Sequence, residues 1–288
     1  MTIDRTEHAD GPPLEAARRR SWTDRHSVLV RTTHWLNVVC MAVLLMSGLQ
    51  IFNAHPALYW GNDSDFAHPV FAITADSSPG GGQRGVITLL GRSLDTTGVL
   101  GLSRQDGMLQ PRAFPSWATL PSWQSLADGR RWHFFFAWVF AANLVVYLLH
   151  GVMSGHFWRD VLPSWRDLRD VPRTTWDHIR FRFPRGEAAR HYNVLQKGAY
   201  SLVVFCLIPI LLLAGLAMSP RLDAGFPQLP QLFGGRQSAR AIHFIAAWTL
   251  VAFVLVHVLM VLVSGAWNDI RSMVTGRYAV DMVTGKHD

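Results

Sequence analysis

Five of the thirteen histidines, His34, His133, His150, His243 and His257, fall within strongly apolar runs. An imidazole in hydrocarbon is costly unless it faces a partner, so each one marks a functional position. The chemistry open to it there is proton transfer or ligation of a metal through a ring nitrogen. His243 and His257 stand fourteen residues apart in "AIHFIAAWTLVAFVLVHVLM", residues 241–260. On a helix they return to nearly one face, about 40° apart, and lie roughly 21 Å apart along the axis. They cannot share one metal ion. Two sites stacked along the helix fit the spacing, and each then needs a ligand from another helix.

The elements that must position these residues follow from hydropathy. Of 288 residues 49% are hydrophobic and only 16% charged. Four runs, at 28–52, 132–154, 199–218 and 241–264, approach or exceed the roughly 20 residues that cross a bilayer core. The expected fold is an all-α membrane protein, a four-helix bundle made of two helical hairpins. The first run lies too deep in the chain, and is too long, for a cleaved signal peptide. Eighteen of the 27 Lys and Arg lie up to Arg31, between the second and third runs, or after the last. Positive loops stay inside, so both termini are expected in the cytoplasm. This gives a cytoplasmic tail at 1–27, a bundle domain at 28–264 with an extracytoplasmic loop at 53–131 and a cytoplasmic loop at 155–198, and a cytoplasmic tail at 265–288. The net charge of +7 then reflects topology and contact with anionic lipid, not nucleic acid. Cys40 and Cys206 both lie inside spans, as small packing residues and not a disulfide framework. The absence of C-x-x-C-H excludes covalent c-type haem attachment.

An internal repeat supplies the partners. "WHFFFAWVFAANLVVYLLHGVMSG" and "IHFIAAWTLVAFVLVHVLMVLVSG" align without a gap and set His133 against His243. "LLMSGL" and "LLLAGL" likewise set Gly48 opposite Gly215. Depth matching pairs His133 with His243 near the outer surface and His34 with His257 near the inner one. Gly48 lies fourteen residues beyond His34, at the depth of the outer pair, and leaves room for something flat and large as well as for close helix packing. A macrocycle gripped by two imidazoles fits better than a bare ion, and haem b is the natural candidate, two per chain. Filled axial positions leave no open site for oxygen or substrate, so the expected task is electron transfer. Arg31 and Arg240 each precede a paired histidine by three residues, as propionate partners or as snorkelling anchors. His150 is about 100° off the face of His133. It reads as a polar residue at the inner boundary, beside a quinone pocket, or else as a replacement for His34 or His257. His156 is similarly placed.

The loop at 53–131 is long enough to be functional or disordered. Its "SSPGGGQRG" reads as a flexible turn. The tryptophans of "FPSWATLPSW" suit either the docking of a partner or a rest at the membrane interface.

"RTTHWLN" with "SGLQIF", then "RRWHFFFAW", "HYNVLQKGAY" and "RAIHF" with its second histidine fourteen residues on, resemble the bacterial di-haem cytochrome b family. That family includes the membrane subunits of formate dehydrogenase, nickel-iron hydrogenase and thiosulfate reductase. The resemblance runs from about Val28 to Gly276 and is strongest, through "NAHPALYWG", to thiosulfate-reductase-like members. It implies that His34, His133, His243 and His257 are the haem ligands. It also implies a bacterial inner-membrane subunit passing electrons between a membrane quinone and an extracytoplasmic redox subunit, often a molybdenum enzyme. By the same resemblance an inner quinone site lies near His34 and His257, with Asn193, Gln196 and Lys197 as contributors; helix capping and positive-inside anchoring account for those three as well. Two alternatives remain open. One is a partnerless quinone-dependent oxidoreductase. The other is a histidine-lined metal or proton transporter, which predicts acidic residues in the spans, where there are none.

Overall fold

The structure, a computed structural model, describes residues 19–24, 26–77, 81–105, 107–180 and 194–282. Four helices in it are long and apolar enough to cross a membrane. The first is α1 (Val28–Ala54), opened by the Ser27 side chain, which accepts from the Val30 amide. The second is α2 (Leu126–Met153). It starts six residues before the apolar run because the Ser125 hydroxyl accepts from the Asp128 amide and caps a polar first turn. After the short helices α3 (Trp165–Arg169) and α4 (Val171–Ile179) comes the third span, Val194–Ala217. It joins α5 (Val194–Leu202) to α6 (Ile208–Ala217) through a π-helical turn at Val203–Leu207. Pro209 explains the turn: it has no amide to offer the Phe205 carbonyl and its ring crowds that turn, so the helix widens there. Two short helices, α7 (Pro220–Gly225) and α8 (Gln228–Leu232), lead into α9 (Arg236–Thr275), which runs well past the apolar run to a left-handed Gly276.

The helices form two pairs, α1 along α2 and α6 along α9. The pairs meet in an apolar core of Cys40, Phe140, Leu144, Val203, Ile208 and Leu250. Cys40 is buried there, Cys206 is exposed on the third span, and both are free thiols.

The chain is not all-α. Strands β2 (Ala57–Leu58), β3 (Phe71–Ser77), β4 (Gln83–Leu89) and β5 (Arg92–Asp95) form an antiparallel sheet in that order, and β6 (Gly101–Gln105) pairs with β7 (Met108–Arg112). All lie in the stretch expected to be an irregular loop. The register ends at Ser77↔Gln83, so β3 and β4 pair as a hairpin. Strands of two to seven residues bury too little apolar surface to stand out beside a membrane helix. This unit is fixed to the bundle by a second apolar core of Phe52, Leu58, Ile73, Ala113, Phe114 and Ala241. Polar contacts fix it as well. Arg112, 4% exposed, donates to the Ser122 carbonyl at 2.6 Å, to Gln50 of α1 at 2.8 Å and to Thr119 at 2.6 Å. The Leu120 amide donates to the Met46 carbonyl at 3.1 Å, so "FPSWATLPSW" is strapped across the end of α1. The Gly61 carbonyl accepts from the Gln237 and Ser238 amides, two donors otherwise unpaired at the start of α9. A Cβ on Gly235 would stand 2.4 Å from that carbonyl oxygen, so only glycine admits the approach.

At the opposite end β1 (Arg19–Asp24) pairs antiparallel with β8 (Arg277–Met282), which brings the two ends of the described chain together on one side of the bundle. Below, "outer" means the end bearing the β2–β7 unit and "inner" the end bearing β1 and β8.

Candidate functional site

The structure brings four of the five span histidines together in two pairs. His133 of α2 faces His243 of α9 with ring centroids 6.2 Å apart, the planes at 67°. His34 of α1 faces His257 of α9 at 6.4 Å and 65°. Two imidazoles ligating one metal from opposite sides have centroids about 6 Å apart, given metal–nitrogen bonds of about 2 Å. Both pairs have this separation. Among the described residues no group of three or more His, Cys, Asp or Glu converges, so each pair offers two nitrogens and nothing more. A bare ion held there lacks ligands, whereas a tetrapyrrole brings four equatorial nitrogens of its own. The residues fit haem.

At the outer pair the tautomers are fixed. His243 Nδ1 lies 2.8 Å from the Leu211 carbonyl, and His133 Nδ1 lies 3.2 Å from the Leu44 carbonyl. A carbonyl only accepts, so each Nδ1 carries the hydrogen and each Nε2 keeps its lone pair. Leu44 is four residues before Gly48 and Leu211 four before Gly215, so the repeat seen in sequence repeats this bond. The glycines explain how a ring reaches the backbone of the neighbouring helix. A Cβ on Gly215 would stand 3.2 Å from His243 Cε1, and one on Gly48 would stand 3.4 Å from His133 Cε1. What occupies the space over each glycine is the imidazole itself. Ser47, fully buried, donates to the Val43 carbonyl at 2.6 Å and holds its oxygen 3.1 Å from His133 Nδ1, a second acceptor that Ala214 cannot repeat. Neither carbonyl nor Ser47 was foreseen; the serine beside Gly48 in "MSGL" was the available signal.

The inner pair is framed by rings and helix ends. His257 stacks on Phe253 at 6.1 Å and 15° and touches Tyr200 at 6.3 Å. His34 sits between two residues that hold the end of α9. Arg31 Nη1 donates to the Val274 carbonyl at 2.6 Å, and Trp35 Nε1 to the Met273 carbonyl at 3.0 Å. The final carbonyls of α9 have no partner within the helix, which is why they attract these donors. On α2, buried Asn143 donates to the Thr33 carbonyl at 2.9 Å and to Asn37 at 2.7 Å, locking the turn that carries His34.

Arg240 mirrors Arg31: its Nη2 donates to the His55 carbonyl at the end of α1, and its guanidinium lies 5.8 Å over the Phe52 ring. Both arginines expected at propionates therefore hold backbone carbonyls.

Among the described residues, the remaining expected ones do not enter either pair. His150 is half-buried near the inner end of α2 and outside both pairs. Lys197 forms an ion pair with Asp167 at 3.0 Å, tying the third span to α3. The Ser164 amide and then Lys197 hold the Asp167 carboxyl below the usual carboxylate range. Gln196 is half-buried on α5, one turn before Tyr200, and Asn193 lies outside the described residues. At the outer end, burial pushes the Arg112 guanidinium down from its usual pKa.

The profile of a family described as prokaryotic cytochrome b561 matches residues 92–276 of the chain. The chain is also similar to the putative protein-methionine-sulfoxide reductase subunit YedZ1 of Azospira oryzae, 29% identical over 236 residues, which cover 82% of this chain and 89% of that one. No solved structure matches it significantly.

Proposed function

The chain belongs to the prokaryotic cytochrome b561 family, and from that premise of a b-type membrane haem protein we propose that it holds two haems and passes electrons between membrane quinone and an extracytoplasmic oxidoreductase. The observation that carries this reading is the stacking of two histidine pairs along α9, each with the separation of two ligands to one iron. In it His133 and His243 ligate the outer haem, and His34 and His257 the inner one.

Haem b held between two such histidines would supply one-electron transfer and not oxygen chemistry. The chain does the rest. The Leu44 and Leu211 carbonyls keep Nε2 of the outer pair free for iron and orient both rings. The core around Cys40, Phe140 and Leu250 keeps the layer between the pairs apolar, so electrons, not ions, cross it. The β2–β7 unit covers the outer end and is the surface an extracytoplasmic partner meets. The name of the Azospira relative, a reductase subunit, supports delivery to an oxidoreductase; a molybdenum-containing partner and an inner-membrane location are carried from the family resemblance. Quinone is assigned to the inner end, near Tyr200, Gln196, Lys197 and His150, with Asn193 as a further contributor. The Lys and Arg distribution supports termini in the cytoplasm, on the inner side.

A reduced-minus-oxidised visible spectrum with haem quantification tests the reading. Purified protein is expected to carry about two haems b per chain, and His243→Ala about one. Two haems retained in His243→Ala would overturn the ligand assignment. A colourless wild-type protein would overturn the function.

A further inference from the structure

Arg31 and Arg240 form a reciprocal device. Each lies three residues before a paired histidine, one helical turn nearer the end of the bundle. Each donates to a carbonyl at the C-terminal end of the other's helix: Arg31 of α1 to Val274 of α9, and Arg240 of α9 to the residue that closes α1, His55. The carbonyl end of a helix carries partial negative charge, so a cation is favoured there without any carboxylate. Among the described residues neither arginine takes part in an ion pair. Arg240 is half-buried and faces the Phe52 ring, one turn beyond Gly48, which touches His133. Two positive charges are therefore held one helical turn beyond the two pairs by helix-end carbonyls, and around half-buried Arg240 water screens the charge less than in bulk.

We infer that Arg240 and Arg31 are positioning cations that raise the reduction potential of the redox groups at the outer and inner pairs respectively, each held beside its site by the opposite helix end. The inference rests on the proposed haem function. A site that gains an electron becomes more negative by one charge. A fixed cation nearby stabilises that reduced form without changing ligands or bonds. Arg31 shares its end of α9 with Asp269 and Arg271, so its influence is more diluted than that of Arg240.

The test is spectroelectrochemical titration of the full chain in lipid nanodiscs, with His34→Ala and His243→Ala as backgrounds that assign each potential. Glutamine still donates to the carbonyl but carries no charge. Arg240→Gln is expected to lower the outer potential by about a tenfold change in the reduction equilibrium, 59 mV for one electron, and to leave the inner potential in place. Arg31→Gln is expected to lower only the inner potential, by about threefold. Arg240→Lys restores charge and donor and is expected to restore the potential. If Arg240→Gln does not assemble, Arg240→His decides: its outer potential must fall as the imidazole deprotonates, beyond any pH drift of the wild type. An outer potential unmoved in Arg240→Gln, an equal shift of both potentials, or a lysine variant as low as the glutamine variant would each overturn the inference. A wild-type protein without two haems would instead sink the function it rests on, and that is read before any variant is made.

Discussion

The outer and inner histidine pairs have nearly the same ring separation, 6.2 and 6.4 Å, but are held in different ways. Both outer imidazoles donate from Nδ1 to a carbonyl one turn before a glycine. Among the described residues no such bond is seen for His34 or His257, which are framed by Trp35, Phe253 and Tyr200. A ligand imidazole that donates its other N–H becomes more basic and better fixed in orientation. The outer pair is therefore oriented by directional bonds, and the inner pair by packing and by the capped end of α9. The same contrast extends to the bundle ends. Neutral contacts around buried Arg112 secure the outer end, whereas the Asp167–Lys197 ion pair secures the loop side of the inner end.

The sharpest way to break this comparison is to fill the glycine seats, which only the outer pair has. Gly215→Ala places a methyl 3.2 Å from His243 Cε1 and 3.3 Å from Nδ1, so the ring must give by a few tenths of an ångström and the bond to Leu211 weakens. Overpacking of this kind costs about 1–3 kcal/mol. The expected result is weaker retention of the outer haem, by roughly ten- to a hundredfold, with the inner haem unchanged. Gly48→Ala meets His133 at 3.4 and 3.6 Å, close to ordinary contact, and is expected to lose much less. Haem content after detergent challenge, measured on both variants, checks the order; equal losses, or loss of the inner haem, would show that the glycines serve helix packing and not the histidines.

Acid distinguishes the Asp167–Lys197 tie from the Arg112 contacts more gently. The Asp167 carboxyl has its folded pKa depressed by the Ser164 amide and Lys197. Its stabilisation is complete above the ordinary carboxylate pKa of about 4 and is lost as pH falls through the lower folded value. A partly exposed pair of this kind is worth roughly 1 kcal/mol or less. Asp167→Asn should therefore lower Tm at neutral pH by a few degrees and flatten its fall in acid. Arg112 has no carboxylate among its hydrogen-bond partners, so its own contacts add no such limb. Thermal melts followed by haem absorbance from neutral pH to pH 3 test this, and an Asp167→Asn curve parallel to that of the wild type would refute it.

Which parts were legible in the sequence follows the same division. The spans and the two pairings could be read because helix periodicity fixes faces and depth, and fourteen residues of helix leave few partners at each level. The acceptors of the imidazole hydrogens could not, because Leu44 and Leu211 contribute backbone oxygens that any residue type carries. For the same reason the sequence locates Arg31 and Arg240 one turn from a histidine but says nothing of the carbonyls they reach. The β2–β7 unit escaped because its strands are short and its alternation, as in "FAITADS" and "QRGVITL", is weak beside four membrane helices. "SSPGGG" between those two stretches was nonetheless a hairpin signal. Glycine permits both a tight turn and a flexible one, so composition alone does not separate the two.

Ser47 offers the finest test, because it breaks the symmetry between the two halves of the outer pair. His133 Nδ1 has two acceptors, the Leu44 carbonyl at 3.2 Å and Ser47 Oγ at 3.1 Å, whereas His243 has only the shorter bond to Leu211 at 2.8 Å. The serine oxygen is free to accept because its own hydrogen goes to Val43. Ser47→Ala removes one acceptor and leaves the other, so the N–H stays satisfied and the tautomer is kept. The expected loss is that of a single shared hydrogen bond, about 0.5 kcal/mol or less. A slightly less basic His133 favours the reduced iron, so the outer potential should rise by roughly 20 mV, opposite in sign to the effect of Arg240→Gln. Ala214→Ser, the reverse change on the other half, should lower the same potential by a similar amount if its hydroxyl reaches His243. A downward shift in Ser47→Ala would mean that the hydroxyl acts as a dipole toward the iron and not as an acceptor for the ligand.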